Sequence, residues 1–171
     1  PADLAQVFSE LNDRDRHAAF NVLSDRNSRL AMEALSELGP ETGAKLLAGR
    51  TPEEIAGLLK ELPSDDVAAI INYLPDELSA AVLELLGRKE GEEVENLLEY
   101  AEQTAGRIMN PQVFALGEDL TVGESIVALQ GSRDVEMVFY LYVVDERRHL
   151  VGVISLRRLL LVSPETPLKR I

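Results

Sequence analysis

No cysteine and no tryptophan occur in this sequence, and aromatic residues make up only 5% of its 171 residues. The lack of cysteine excludes a disulfide framework and any metal site with thiolate ligands. No stretch approaches the roughly 18 consecutive apolar residues of a membrane span, and the first residues lack the basic and apolar regions of a signal peptide. Since 46% of the residues are hydrophobic and 27% are charged, we expect a globular protein with an aliphatic core.

Basic residues are also scarce, and the formal net charge is −13. Residues 36–105 contain 16 acidic residues against 5 basic ones, whereas residues 106–171 contain 8 of each. Nucleic acid needs a basic face on its partner, so this charge argues against a nucleic-acid-binding protein. An acidic region suits a cationic partner, metal cations included. The alternative is that the acidic residues only solvate the outer faces of helices.

The most regular part of the sequence is residues 51–86, which form three tandem 12-residue units, TPEEIAGLLKEL, PSDDVAAIINYL and PDELSAAVLELL. Each unit opens with Thr or Pro, continues with acidic residues and ends in Leu. Proline at the first helical position costs no hydrogen bond, and acids in the first turn complement the helix dipole. The apolar residues recur at three- and four-residue spacing. We therefore predict short helices whose apolar stripes are covered by stacked neighbours, as in a solenoid.

The repeat extends towards the N-terminus. Two further 12-residue units begin at Asn12 and Ser24, both of which are residue types that favour the N-cap position. Residues 1–86 are therefore predicted to form about seven short helices without a strand. Gly87 is predicted to be the C-cap of the last of them. Residues 88–103 are predicted to form a more charged helix, which is either a connector or one further helix of the bundle.

The pattern changes at Thr104, after which the predicted order is helix, strand, helix, strand, strand, helix. The stretch 121–124, Thr-Val-Gly-Glu, is a capping box that starts a helix. Two β-rich runs, 138–144 and 150–155, are joined by a short polar turn and predict a β-hairpin. Ser155 is predicted to cap the last helix.

The C-terminal part resembles a CBS domain in three stretches: IMNP, DLTVGESIVAL and YVVDERRHLVGVISLRRLL. Acidic helical repeats precede this part, and the stretch AGRIMNP joins the two. With this arrangement the whole chain resembles the cytoplasmic part of MgtE-type magnesium transporters and channels. The resemblance implies a mainly α fold with two parts. A right-handed, solenoid-like superhelix of short helices is expected over residues 1–103, and an α+β CBS unit over residues 104–171.

In that family the superhelix is followed by a tandem CBS pair, a long plug helix and a membrane pore. This chain ends where the second CBS unit is expected to begin, so the second unit, plug helix and pore are expected to be missing. CBS units pack as pairs. We therefore expect the apolar face of this one to be covered by a second copy of the chain, in a symmetric homodimer. The expected location is the cytoplasmic face of the cell membrane, as part of an integral membrane protein.

The resemblance also implies a regulatory Mg²⁺ site, formed by carboxylates of the superhelix facing carboxylates of the second CBS unit. Glu33 and Asp65 match the superhelix ligands of the family, and Asp66 lies beside Asp65. Ala69 stands where the family has a further Asp. Mg²⁺ prefers hard oxygen ligands and is often held by one or two carboxylates. The alternative for Asp65 and Asp66 is that they only complement a helix dipole, an effect of about 0.3–1 kcal/mol.

CBS pairs often bind adenosine nucleotides through an Asp that lies three positions after a Ser or Thr. In this chain Ser155 is followed at that position by Arg158, which cannot accept hydrogen bonds from ribose hydroxyls. We therefore predict no family-like nucleotide site and no cofactor-binding residues. His17 and His149 are predicted to be surface residues. No nucleophile elbow, P-loop or HExxH motif occurs, so we expect no enzyme.

The predicted function is therefore that of the cytoplasmic Mg²⁺-sensing region of a magnesium transporter. Mg²⁺ bound between the acidic helices and the CBS units would close the pore. With the second CBS unit missing, the metal site of this chain is expected to be incomplete. The alternative is a soluble CBS-containing module without a pore, which senses adenylates or binds other proteins.

Overall fold

The computed structural model describes residues 2–101, 103–132 and 139–171. The contacts between residues divide the chain into two compact units, Pro1–Gln112 and Val113–Ile171. We refer to them as the helical unit and the C-terminal unit. The predicted fold class is confirmed, since helices dominate the described residues and the small sheet found among them lies near the C-terminus. No helix among the described residues has the length and apolar character needed to cross a membrane.

The helical unit contains α-helices of 8 to 14 residues joined by short connections. In chain order they are α1 Ala2–Glu10, α2 Asp13–Arg26, α3 Ser28–Glu37, α4 Pro40–Leu47, α5 Pro52–Leu59, α6 Ser64–Ile71, α7 Asp76–Leu85 and α8 Arg88–Glu99. The first seven confirm the prediction of about seven short helices before residue 86. Helices often pack on the next helix but one, as α4 does on α6, α5 on α7 and α6 on α8. This packing buries the apolar stripes that single short helices cannot cover.

The helix starts follow the local sequence only in part. Pro52 is the first residue of α5 as predicted, whereas Pro63 and Pro75 are the N-caps of α6 and α7 and lie one position before the helix. Asn12 caps α2 as predicted, because its side chain accepts a hydrogen bond from the Asp15 backbone N–H at 3.0 Å. Ser24 was predicted as a cap and this is wrong: it is buried inside α2, where its hydroxyl donates to the Asn21 carbonyl. Asn27 takes the role instead. Its backbone N–H donates to a carbonyl of α2, while its side chain accepts from the Leu30 N–H of α3.

Gly87 also differs from the prediction. It is the N-cap of α8 rather than the C-cap of α7, and its φ of −55° lies outside the left-handed region that a glycine C-cap adopts. Leu86 ends α7, because its N–H donates to the Val82 carbonyl. Two helices therefore meet here with almost no connecting residues.

A single core cluster runs through the helical unit from α2 to α8. Its fully buried larger side chains are Phe20, Met32, Leu35, Leu47, Ile55, Leu59, Ile70, Ile71, Val82 and Leu97. They come from the three- and four-residue apolar spacing that predicted the helices. Most are aliphatic, as expected for a sequence poor in aromatic residues.

The C-terminal unit is built around a three-stranded sheet in the order β1-β2-β3. Its elements are β1 Ala115–Gly117, α9 Val122–Gly131, β2 Tyr140–Val144, β3 Leu150–Ser155, α10 Leu156–Leu161 and a 3₁₀ helix at Leu168–Arg170. Strand β1 runs parallel to β2, and β2 and β3 form the predicted antiparallel hairpin. The start of the first predicted run, residue 138, lies outside the described residues. The 3₁₀ helix was not predicted, and the helical turn predicted at Thr104 is a non-helical turn.

The caps and hairpin turn of this unit have short-range causes. Thr121 and Glu124 form the predicted capping box of α9, and the Ser155 hydroxyl accepts from the Arg158 N–H at the start of α10. In the hairpin turn the Asp145 carboxylate accepts backbone N–H bonds from Arg147 and His149. These bonds, led by the one from His149, lower the pKa of Asp145.

Candidate metal site

The start of α6 carries the two adjacent acids that the sequence singled out. Pro63 occupies the N-cap position and provides no side-chain cap, so the first turn relies on Asp65 and Asp66. The first N–H groups of a helix lack partners within it, and the positive end of the helix dipole favours negative charge there. If Asp65 served only to stabilise the start of α6, its carboxylate oxygens would accept hydrogen bonds from the first N–H groups of the helix, and its pKa would be lowered.

Asp65 does not match that expectation. Its Oδ1 atom is buried and accepts no hydrogen bond. Burial raises the pKa of Asp65, and the charge of Asp66 raises it further, while hydrogen bonds from the backbone of α6 act in the opposite direction. A carboxylate with a buried and unused oxygen is costly for the fold, because a desolvated acceptor without a partner is destabilising. Such an oxygen fits a hard cation that replaces the missing partner.

Asp66 has a partner from another helix. The Ser36 hydroxyl of α3 donates to Asp66 Oδ2 at 2.6 Å. Hydrogen bonds to an ionised carboxylate are short and strong, so this one links α3 to the start of α6. Asp66 therefore has a structural use that does not require a metal.

Glu33 lies on α3, three residues before Ser36 and hence on the same side of that helix. It is half-buried and accepts a hydrogen bond from Arg29 Nε at 3.0 Å. Because Ser36 reaches Asp66, this side of α3 is directed towards the start of α6. Within residues 2–101, 103–132 and 139–171, however, no three acidic or histidine residues are grouped closely enough to hold a metal ion. The described part of the chain thus offers an incomplete set of ligands.

Sequence reasoning missed Glu93. This residue of α8 accepts hydrogen bonds at Oε2 from the Ser64 hydroxyl and from Gln112 Nε2, both at 2.9 Å. Its Oε1 lies 3.8 Å from Lys89 Nζ. The bond from Gln112 is the main reason why the pKa of Glu93 is lowered, so the residue is ionised at neutral pH. Its partners lie 29 residues before and 19 residues after it, and no local pattern marks it.

The two histidines occupy different surroundings. His149 is exposed as predicted and lies 3.0 Å from Asp145 in the hairpin turn. His17 is only half-exposed, and its Nε2 lies 2.8 Å from the Lys45 carbonyl oxygen. Neither therefore belongs to the candidate metal site.

One face of the small sheet is apolar and exposed. Tyr142 of β2 lies opposite Val153 of β3, and both point outward, whereas the neighbouring pair Leu141 and Ile154 is buried. Alternation of this kind is normal for a strand, but the outward positions of most half-buried sheets are polar. Further exposed apolar residues of this unit include Phe139, Tyr140, Leu150, Val151, Leu160 and Leu161.

Two family models match the chain. The model of the MgtE intracellular N domain matches residues 1–103, and the model of the CBS domain matches residues 105–169. The first of these alone covers more than half of the chain.

Several curated relatives are named magnesium transporter MgtE. The protein from Thermus thermophilus is 42% identical over 84 residues, which is 48% of this chain and 19% of that protein. The protein from Enterococcus faecalis is 39% identical over 79 residues, which is 46% of this chain and 17% of that protein. The matched region therefore spans less than a fifth of these relatives, whose names describe transporters rather than enzymes.

Solved structures of magnesium-transporter domains resemble the chain. The crystal structure of the soluble part of a magnesium transporter has a TM-score of 0.81 and 30% identity, and the match covers 98% of this chain and 65% of that one. The cytosolic domain of the Mg²⁺ channel MgtE in complex with ATP has a TM-score of 0.63 and 31% identity, and the match covers 97% and 72%. Helical repeats, a small sheet and both family models agree: the chain belongs to the MgtE family and comprises its intracellular N domain followed by a CBS domain.

Proposed function

We propose that this chain is the Mg²⁺-sensing regulatory region of a magnesium transporter, located at the cytoplasmic face of the cell membrane. Residues 1–103 would act as the acidic sensing domain and residues 104–171 as the first CBS domain. Membership of the MgtE family supports this proposal, and so do the names of its relatives. The net charge of −13 adds to it, because a cation is the simplest partner for an acidic surface.

The observation that carries the proposal is the unpaired Oδ1 of Asp65. The acids of neighbouring repeats occupy the same helical position, as Glu53 does in α5 and Glu77 in α7, and both are exposed. Asp65 differs from these two acids, because it is half-buried and its Oδ1 atom is buried without a hydrogen-bond partner. We therefore assign Asp65 as the main Mg²⁺ ligand of this chain, with Glu33 as a second ligand from α3.

Asp66 takes a different role in this proposal. Since Ser36 donates to it, Asp66 holds α3 and α6 together and positions Glu33 and Asp65. Ala69, one turn after Asp65, offers no oxygen ligand. Mg²⁺ commonly keeps several waters and needs only one or two carboxylates, so two ligands from this chain suffice. The remaining ligands would come from the second CBS unit of the full protein.

The sensing mechanism follows from charge. Without a bound cation the carboxylates of the helical unit repel those of the domain that faces them. With Mg²⁺ between them the repulsion becomes attraction, and the domains are held together. A cation that binds one arrangement better than the other shifts the population towards it, and in this protein the favoured arrangement would be the closed pore.

The exposed apolar face around Tyr142 and Val153 supports a second part of the proposal. It suits a second CBS unit or a second copy of the chain in a symmetric homodimer. One relative was solved with ATP, which keeps an adenylate-sensing module as the alternative function. Arg158 disfavours it, because a guanidinium cannot accept hydrogen bonds from ribose hydroxyls.

The test is an Mg²⁺ titration of the protein extended to both CBS units, with limited proteolysis as the measure of compaction. We expect Mg²⁺ to slow cleavage of the wild-type protein and of Glu77→Gln, the matched control from α7. Asp65→Asn should require a higher Mg²⁺ concentration for the same protection. If Asp65→Asn responded like Glu77→Gln, Asp65 would not be a ligand. If Mg²⁺ protected none of the three proteins, the sensing function would be refuted.

A further inference from the structure

The segment that connects α8 to β1 is attached to the helical unit at several points. We call residues 104–112 the linker segment. Arg107 donates from one terminal nitrogen to the Leu97 carbonyl of α8 and from the other to Asn72 Oδ1 after α6, at 3.2 and 2.9 Å. Gly106 lies so close to the Tyr100 ring that a Cβ atom would collide with it. The linker segment is therefore packed against the ends of two helices.

A third attachment lies at the end of the linker segment. Gln112 Nε2 donates to Glu93 Oε2, the same oxygen that accepts the Ser64 hydroxyl. Ser64 is buried and is the first residue of α6, directly before Asp65. The Glu93 carboxylate of α8 thus connects the start of α6, which carries the candidate metal ligand Asp65, to Gln112, the last residue of the helical unit. The next residue, Val113, already belongs to the C-terminal unit.

We propose that Ser64, Glu93 and Gln112 form a hydrogen-bond chain that couples cation binding at Asp65 to the attachment of the linker segment. This inference rests on the proposed Mg²⁺ site. Ser64 and Asp65 share the first turn of a helix, so a cation that moves or neutralises Asp65 acts on the hydroxyl that Glu93 holds. Because the coupling is a free energy between two sites, it acts in both directions with the same magnitude.

The direction of the effect follows from the position of Ser64 in the first turn of α6. A dication held by Asp65 fixes this first turn, and with it the Ser64 hydroxyl that donates to Glu93 Oε2. Glu93 is then held in the position in which it also accepts the hydrogen bond from Gln112. Mg²⁺ therefore tightens the attachment of the linker segment, and a detached linker segment lowers the Mg²⁺ affinity.

The attachment itself can be measured without a cation. The Arg107 side chain is half-buried and its guanidinium is held by two hydrogen bonds, so trypsin is expected to cut after Arg107 faster when the linker segment detaches. The rate of that cleavage then reports the detached population. Removing one hydrogen bond to a charged group in Gln112→Ala should speed the cleavage about tenfold. Gln130→Ala, an exposed glutamine of α9, is the matched control and should leave the rate unchanged. An unchanged rate in Gln112→Ala would overturn the inference.

Glu93→Ala tests the other end of the same bond, with Glu92→Ala as the control from the adjacent, exposed position. Should Glu93→Ala disturb α8, Gln112→Ala still decides the question, because its exposed side chain can be removed without opening the core. Hydrogen exchange of residues 88–99 shows whether Glu93→Ala only removes the hydrogen bond or also disturbs α8, since only a disturbed helix exchanges faster.

The coupling is tested in the protein with both CBS units, using Mg²⁺ alone as the ligand. Mg²⁺ binding is measured by calorimetry and cleavage after Arg107 is measured in parallel. We expect Mg²⁺ to slow this cleavage in the wild type, and the effect to be lost in Gln112→Ala, which should also bind Mg²⁺ more weakly. Binding without any change of cleavage, or an equal change in both proteins, would refute the coupling but leave the Mg²⁺ site intact. Absence of binding would refute the proposed function and the coupling with it.

Discussion

Gly43 of α4 lies where three helices meet, and replacing it with alanine tests how tightly they are packed. A Cβ atom at this position would lie 2.6 Å from Leu35 Cδ2 of α3 and 3.5 Å from Ile70 Cγ1 of α6. These are the two helices that Ser36 and Asp66 connect. Leu35 is fully buried, so its side chain cannot turn aside without meeting other core atoms. The strain therefore falls on the contact that positions the candidate metal ligands.

The magnitude follows from two opposing effects. Alanine is the better helix former by about 0.8–1 kcal/mol. Overpacking a filled core costs about 1–3 kcal/mol. The cost is the larger effect, and we expect Gly43→Ala to lower the free energy of unfolding by about 1 kcal/mol.

Gly57 of α5 provides the matched control. It too lies inside a helix, but it is exposed and no atom lies within 4 Å of the position that a Cβ would occupy. Gly57→Ala should raise the free energy of unfolding by about 0.8 kcal/mol. The two alanine variants should thus differ by about 2 kcal/mol, which corresponds to roughly 4–8 °C in melting temperature for a chain of this size.

Urea unfolding followed by circular dichroism measures both variants, since the midpoint shifts in proportion to the change in stability. Equal stability of Gly43→Ala and Gly57→Ala would refute the reasoning, because it would mean that Leu35 moves freely. In that case the junction of α3, α4 and α6 would be loose, and it could not position Glu33 relative to Asp65.

Two further predictions concern Asp65 and the exposed sheet face. Burial raises the pKa of Asp65 above its ordinary value of 3.8. At a pH above the pKa of the folded state, the ionised carboxylate therefore lowers the free energy of unfolding. Below pH 3.8 the carboxyl group is protonated in both the folded and the unfolded state, and this loss of stability is absent. Asp65→Asn should therefore be more stable than wild type in urea unfolding at neutral pH and equal to it at about pH 3; lower stability of the variant at neutral pH would contradict this. Val153→Asp should dissociate the proposed homodimer in sedimentation experiments, because it places a charge on the apolar face, whereas Val7→Asp on α1 should not. A wild-type chain that is monomeric at high concentration would argue against this interface.

Much of the helical unit could be predicted because its signals are local. A proline or a capping residue, an acidic first turn and an apolar spacing of three and four residues all lie within one short helix. Ser24 shows the limit of this reasoning. Both Ser24 and Asn27 are suitable caps, but Ser24 is buried within α2, where its hydroxyl also accepts from Arg50, 26 residues away. The hairpin and the Thr121 capping box were predictable for the same reason as the helices.

The candidate site could be predicted only in part. The sequence around Asp65 resembles that around Glu77, and a local pattern cannot tell which acid has a buried oxygen. That difference arises from helices that pack beside α6. Glu93 depends on distant partners even more strongly, since Ser64 and Gln112 come from separate parts of the chain. The role of Asp66 likewise depends on Ser36, thirty residues earlier.

Asn27 ends one helix and begins the next, which leaves no loop between α2 and α3. A residue inserted at this junction has no turn to absorb it, and within α3 it would rotate everything beyond it by about 100° around the helix axis. Glu33 and Ser36 would then leave the side of α3 that reaches α6. The connection between α5 and α6, residues 60–63, contains several residues outside helices and can change its length more easily. Insertions and deletions are therefore expected to be tolerated at that connection and to be disruptive at Asn27.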